Sequence, residues 1–205
     1  MTEPDTEVRS QQGLDRIVFF SDAVVAIAIM LVVLPLVDSA RDTPEGAGAF
    51  LRENGYALVA AGISFAVIAG FWRDHHALFT RVTGYDEVVV RLNLLWLAGI
   101  VLMPVATVLE VAAPHGDPLS VGLYLGVIAV TMIVSRLLAA RVRAAGFLRG
   151  DLRRGARGAA VPWVPVVLFL VVSAVALPVP SVGLYALLAM LFAPLLSRAL
   201  AGGAR

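Results

Sequence analysis

The chain has 205 residues, 60% of them hydrophobic and 15% charged, with a mean hydropathy of +0.88. Those values exclude an ordinary soluble domain and describe a polytopic membrane protein. A formal net charge of +1 leaves no basic footprint for nucleic acid, and the lack of cysteine excludes disulfides, thiolate metal sites and cysteine nucleophiles.

Residues 1–15 are polar and mixed in charge, and read as a short tail outside the membrane. From Arg16 the chain turns apolar through Val37, with Ser21 and Asp22 set inside the first turns. At a rise of about 1.5 Å per residue this run reaches about 30 Å, the thickness of a bilayer's hydrocarbon core. It is too long for a signal-peptide apolar region and lacks a small-x-small cleavage site, so it stays attached as a first span over about 17–37. An Asp at the centre of a spanning helix costs about 2.5 to 3.5 kcal/mol, and less near an end. Asp22 is therefore expected to face protein or water.

Residues 38–54, with Pro44, Gly46, Gly48 and several acids, have a loop composition. A second span covers about 56–72 and ends in FWRDHHALF, with Trp72 suited to the interface. The third, about 88–108, carries Asn93 early and Pro104 later, where the missing N–H is expected to kink the helix. A short turn over 110–117 leads to Pro118, which opens a fourth span over about 119–138. The arginine-rich stretch 141–157 reads as a solvated loop or as an amphipathic segment on anionic lipid. Fifth and sixth spans, about 159–177 and 182–200, are joined by Pro178-Val179-Pro180-Ser181, and residues 201–205 form a tail. The expected architecture is all-α: one domain over 16–200 with six transmembrane helices.

All sixteen basic residues are arginine, and six spans divide them unevenly. Only Arg41 and Arg52 fall on the side of the first connection; the other fourteen share the side of the termini. By the positive-inside rule both termini of this multi-pass protein are cytoplasmic. The Arg-only usage with abundant Ala, Val and Gly suggests a GC-rich bacterial genome, and so an inner membrane. The opposite side carries Asp38, Asp42, Glu45, Glu53, Glu110 and Asp117. These acids either concentrate cations at a pore mouth or form a hydrated outer surface.

Arg16, three residues, then Phe20, Ser21 and Asp22 spell R-x-x-x-F-S-D at the start of the first span, which continues through Ala26-Ile27-Ala28-Ile29 to Leu34-Pro35. Downstream, Trp72, His75 and Phe79 give W-x-x-H-x-x-x-F, and Asn93 is a polar residue early in the third span. In these features the chain resembles the transmembrane protein 175 family of potassium channels, over at least residues 16–109. A single six-span copy is similar to the bacterial branch, since the second half holds no further FSD. The resemblance implies a homotetramer with four first helices around a central pore, passive conduction of potassium, and no cofactor or metal beyond the permeating ion. Its partners are then potassium ions, the lipid bilayer and other copies of the chain.

Ile27, Leu31 and Leu34 fall on one helical stripe at i, i+4 and i+7. Such a stripe ordinarily packs against neighbouring helices or lipid. The resemblance instead implies that these three positions face the pore as stacked apolar rings, a constriction that opposes ion dehydration. Eight residues after Asp22, where many members of the family carry Thr, this chain has Met30. Sulfur is a poor ligand for a hard alkali cation, so the implied potassium preference is weak to moderate. No TVGYG-like filter loop occurs.

Arg16, Phe20, Ser21, Asp22, Trp72, His75 and Asn93 are expected to support the first helix. Arg16, Asp22, His75 and Asn93 all lie near the cytoplasmic ends of their spans, where Arg16 or His75 can donate to the Asp22 carboxylate and Asn93 can complete the layer. A His75 beside Asp22 would also make gating pH-sensitive. His76 matches no motif. A secondary transporter using Asp22 and His75 as a proton relay is the alternative, although repeated halves are not evident. A hydrolase or metalloenzyme built on Asp74, His75 and His76 lacks any supporting signature, so the chain is read as a non-enzyme.

Overall fold

A computed structural model describes residues 11–43, 46–114, 117–149 and 163–176. Within them all regular structure is helical: α1 (Gln11–Arg41), α2 (Ala47–Glu53), α3 (Gly55–Phe79), α4 (Glu87–Ala112), α5 (Pro118–Ala144) and α6 (Val164–Ala176). Helices α1, α3, α4 and α5 are each long and apolar enough to cross a membrane, which makes this a multi-pass membrane protein. α4 holds the middle: it packs most extensively on α5 and also against α1 and α3, while α6 leans on α5 and α2 on α3.

Between helices in lipid the hydrophobic effect does little, so close approach and internal hydrogen bonding must hold the bundle. Close approach comes from small residues. A Cβ added to Gly99 on α4 would lie 2.2 Å from Thr131 Oγ1 on α5, so only glycine permits that crossing. Buried hydroxyls are satisfied within their own helices: Ser21 donates to the Ile17 carbonyl at 2.8 Å, Thr107 to Met103 at 2.8 Å and Thr131 to Val127 at 2.7 Å. Ser64 of α3 adds cross-helix bonds, 2.8 Å to Thr107 of α4 and 3.0 Å to Tyr124 of α5.

The helices outrun the expected spans at the arginine-rich end. α1 begins at Gln11, so residues 11–15 are helix rather than tail; α3 continues to Phe79; α5 continues to Ala144, which places Arg141 and Arg143 on a helix instead of in a loop. Packing explains the extension, because Leu14, Phe79, Val82, Tyr85, Val89, Leu138 and Val142 form a second buried cluster at the arginine-rich end. At the acidic end the expected loop 38–54 contains α2. Pro35 and Pro104 both lie inside unbroken helices, and Pro118 stands at the start of α5 with Asp117 as its cap. The fifth expected span is represented by α6, while the sixth, over 182–200, the tail 201–205 and residues 1–10 lie outside the described residues.

The connection from α3 to α4 is tied to the end of α5. Thr83 N donates to the Phe147 carbonyl at 2.7 Å and Arg149 N to that of Arg81 at 3.1 Å. Asp86 caps α4 by accepting from Val89 N at 2.9 Å, and Arg141 of α5 donates to the same carboxylate, with Nε at 3.0 Å. Burial alone would raise the Asp86 pKa, but the Arg141 and Val89 hydrogen bonds outweigh it and hold the carboxyl below its ordinary value. A carboxylate with a depressed folded pKa stabilises the fold above the unfolded pKa, about 4, and loses that contribution as pH falls through the folded one. Arg141→Gln is therefore expected to lower the melting temperature at pH 7 and to flatten its fall between about pH 5 and pH 3. Parallel melts of detergent-solubilised wild type and variant that keep one offset at every pH would contradict this.

Candidate functional site

α1 has two unlike faces. Leu14, Ser21, Val25, Ala28 and Val32 are buried against the bundle. On the other side Ile27 is 53% exposed, Leu31 39%, Leu34 48% and Met30 65%. The helix is uncovered along the whole stripe picked out in the sequence, and of the four spans its apolar stretch is the least enclosed.

The three residues of the FSD motif point three ways. Phe20 is exposed, Ser21 is fully buried, and Asp22 is half-buried. Ser21 Oγ donates to Ile17 and accepts from Asn93 Nδ2 of α4 at 3.0 Å. Asn93 Oδ1 lies 2.8 Å from His75 Nε2 of α3. An amide oxygen can only accept, so in this orientation the imidazole donates through Nε2–H. The result is one directed chain, His75 to Asn93 to Ser21 to the α1 backbone, linking three helices at one level. The His75 ring is stacked on Trp96 at 4.2 Å between centroids and on Phe79 at 4.4 Å, which fixes its plane.

Asp22 is held differently from the sequence-based expectation. Its carboxylate accepts from Trp72 Nε1 at 2.9 Å, and among the described residues neither Arg16 nor His75 is bonded to it. The reason is register. Trp72 and His75 sit almost one turn apart on α3, so the indole reaches the Asp22 side of α1 while the imidazole reaches α4. The Trp72 N–H, expected in the hydrated interface, is committed to that carboxylate, and its ring stacks on His76 at 5.3 Å. Arg16 is exposed.

The structure thus brings Ser21, Asp22, Trp72, His75 and Asn93 into one layer and leaves Arg16 and Phe20 on its outside. Two neighbours of this layer and one separate hydroxyl cluster escaped the sequence reading. Trp96, the ring behind His75, gives no polar signal in an apolar span. Arg136 of α5 reaches Asp74 at 3.7 Å, and an arginine inside a spanning segment was the available clue. The Ser64–Thr107–Tyr124 hydroxyls have no motif and meet only through folding.

Residues 16–104 match the family described as the endosomal/lysosomal potassium channel TMEM175. Over 93 residues the chain is 39% identical to a potassium channel of Streptomyces collinus and 36% identical to one of a Chryseobacterium species. Those alignments cover 45% of this chain, and 43% and 46% of the respective relatives, so the chain spans less than half the length of each. The fold is similar to the crystal structure of a lysosomal potassium-selective channel TMEM175 homolog from Chamaesiphon minutus, with a TM-score of 0.65 and 24% identity over 95% of this chain and 100% of that one. Residues 16–104, which hold most of α1 and the layer bonded to it, are therefore the part of the chain that is similar to the TMEM175 family.

Proposed function

We propose that the chain is a potassium-permeable cation channel of the bacterial inner membrane, assembled as a homotetramer around four copies of α1, with both termini cytoplasmic. One observation carries this reading. α1 is bonded to the bundle by a polar layer on one face and leaves Ile27, Leu31 and Leu34 uncovered on the other. A lone helix encloses nothing, so a conducting path along that stripe requires a ring of copies, four in the resembling family. The apolar rings restrict conduction by making a narrow bore hard to keep wet. The relatives' names as potassium channels support the ion, and the fourteen-to-two arginine division of the sequence supports the orientation.

The test is ion flux from liposomes holding the purified chain, under a potassium gradient and then a sodium gradient. Flux of potassium above sodium is the expected result. No flux of either ion from verified tetramers overturns the channel reading, and counterflow kinetics would then point to the carrier alternative.

Met30 flanks the stripe, three residues after Ile27 and four before Leu34. Its thioether offers no hard oxygen to a dehydrating cation. Met30→Thr is expected to raise the potassium-to-sodium flux ratio severalfold with total flux little changed. An unchanged ratio would remove position 30 from ion selection.

A further inference from the structure

One turn of α3 holds most of the links between helices at this level. Trp72 bonds to α1, His75 bonds to α4, and Asp74 faces α5. The α5 partner is Arg136, whose Nη2 stands 3.7 Å from Asp74 Oδ2 and whose side chain is only 22% exposed. Its Nε is buried and, among the described residues, bonded to nothing. Asp74 is itself 53% exposed, but a guanidinium only 22% exposed still leans on its one carboxylate, because removing that partner strands a partly desolvated charge. Asp74 has a second cation, Arg73 Nη2 at 3.8 Å from Oδ1, but that side chain is 71% exposed and solvent screens the pair.

We infer that Arg136 is a positioning residue for the pore helix: its ion pair with Asp74 sets the last turns of α3, and through Trp72–Asp22 and His75–Asn93–Ser21 it sets α1. Among the described residues no hydrogen bond or ion pair joins Arg136 to α1, so its effect passes through α3. α3 and α5 share few other contacts; the Ser64–Tyr124 hydrogen bond joins them about two to three turns away along α3, which leaves the Arg136–Asp74 pair as the tie at this level. The consequence is that movement of α5 reaches the constriction. The functional part of this inference rests on the reading of α1 as a pore helix; the mechanical part does not.

Hydrogen–deuterium exchange of the full-length chain in liposomes reads the mechanical part without any ion moving. Arg136→Gln is expected to speed exchange about tenfold in α3 over 72–79 and also in α1 over 16–27, the factor equivalent to about 1.4 kcal/mol in a local opening equilibrium. Arg136→Lys should stay near wild type, since the contact is a single charge rather than a bidentate fork. The double swap Asp74→Arg with Arg136→Asp should restore protection in both helices. Arg73→Gln should leave α1 unchanged. Exchange that rises in α5 and α3 alone, or a swap as perturbed as the single variant, overturns the inference. If Arg136→Gln does not fold, the lysine variant and the swap decide it on the same criteria. Wild-type flux separately tests the channel reading, so failure of one is distinguishable from failure of the other.

Discussion

Ile27→Asn is expected to raise potassium flux about tenfold or more over wild type, since each 1.4 kcal/mol taken off a barrier is tenfold in rate. Ile27 is the first of the three uncovered stripe residues from the arginine-rich end and stands 53% exposed on the isolated chain. In the proposed tetramer a fourfold ring of isoleucine would offer a passing cation no donor or acceptor in exchange for its water. Asparagine would place four amides at the same level of that assembly and let the bore stay wet. Packing gives little reason for the variant to misfold, because the neighbouring Val25 and Ala28, not Ile27, meet the bundle. Ile27→Val keeps the ring apolar and is the control, with flux expected near wild type. Measured in the same liposomes at equal tetramer content, equal flux from the asparagine variant and wild type would place the constriction elsewhere.

The fold was legible where composition and length act alone. Apolar runs of about twenty residues located α1, α3, α4 and α5, since a bilayer admits few alternatives to a helix. The ends were not legible. Helix continues through Leu14, Phe79 and Val142 because those residues bury one another in a cluster of their own, which forms only after the spans have packed. The candidate layer was legible in membership but not in wiring. Ser21, Asp22, Trp72, His75 and Asn93 announced themselves as polar residues in apolar spans, yet which pairs bond depends on the register of α3 against α1 and α4. Charge complementarity suggested His75 or Arg16 for Asp22, whereas the geometry gives Asp22 the neutral indole of Trp72 and gives His75 to Asn93. The Arg136–Asp74 pair shows the same limit, because Asp74 stands beside Arg73 in sequence while the more buried partner comes from 62 positions away.

That wiring predicts an order of damage within the layer. Asn93→Leu should be the most destabilising single change, because Asn93 alone bonds both α3 and α1 to α4. An interhelical hydrogen bond in a membrane protein is worth only about 0.6 kcal/mol on average, so the two lost bonds do not decide the outcome. What decides it is the Nε2–H of His75, a residue only 3% exposed and stacked on Trp96 and Phe79, whose hydrogen-bond acceptor among the described residues is Asn93 alone; stranding it costs about 1 to 3 kcal/mol. Ser21→Ala strands only one Asn93 N–H and should cost about 1 kcal/mol. Trp72→Phe should cost less still, because the Asp22 carboxylate it releases is half-exposed and can be hydrated. Thermal unfolding in detergent, followed by tetramer survival and by helical signal, should rank the variants Trp72→Phe, Ser21→Ala and Asn93→Leu in rising loss of stability. An Asn93→Leu protein as stable as wild type would mean that α1 is held by apolar packing alone, and the polar layer would then lose its claim to position α1.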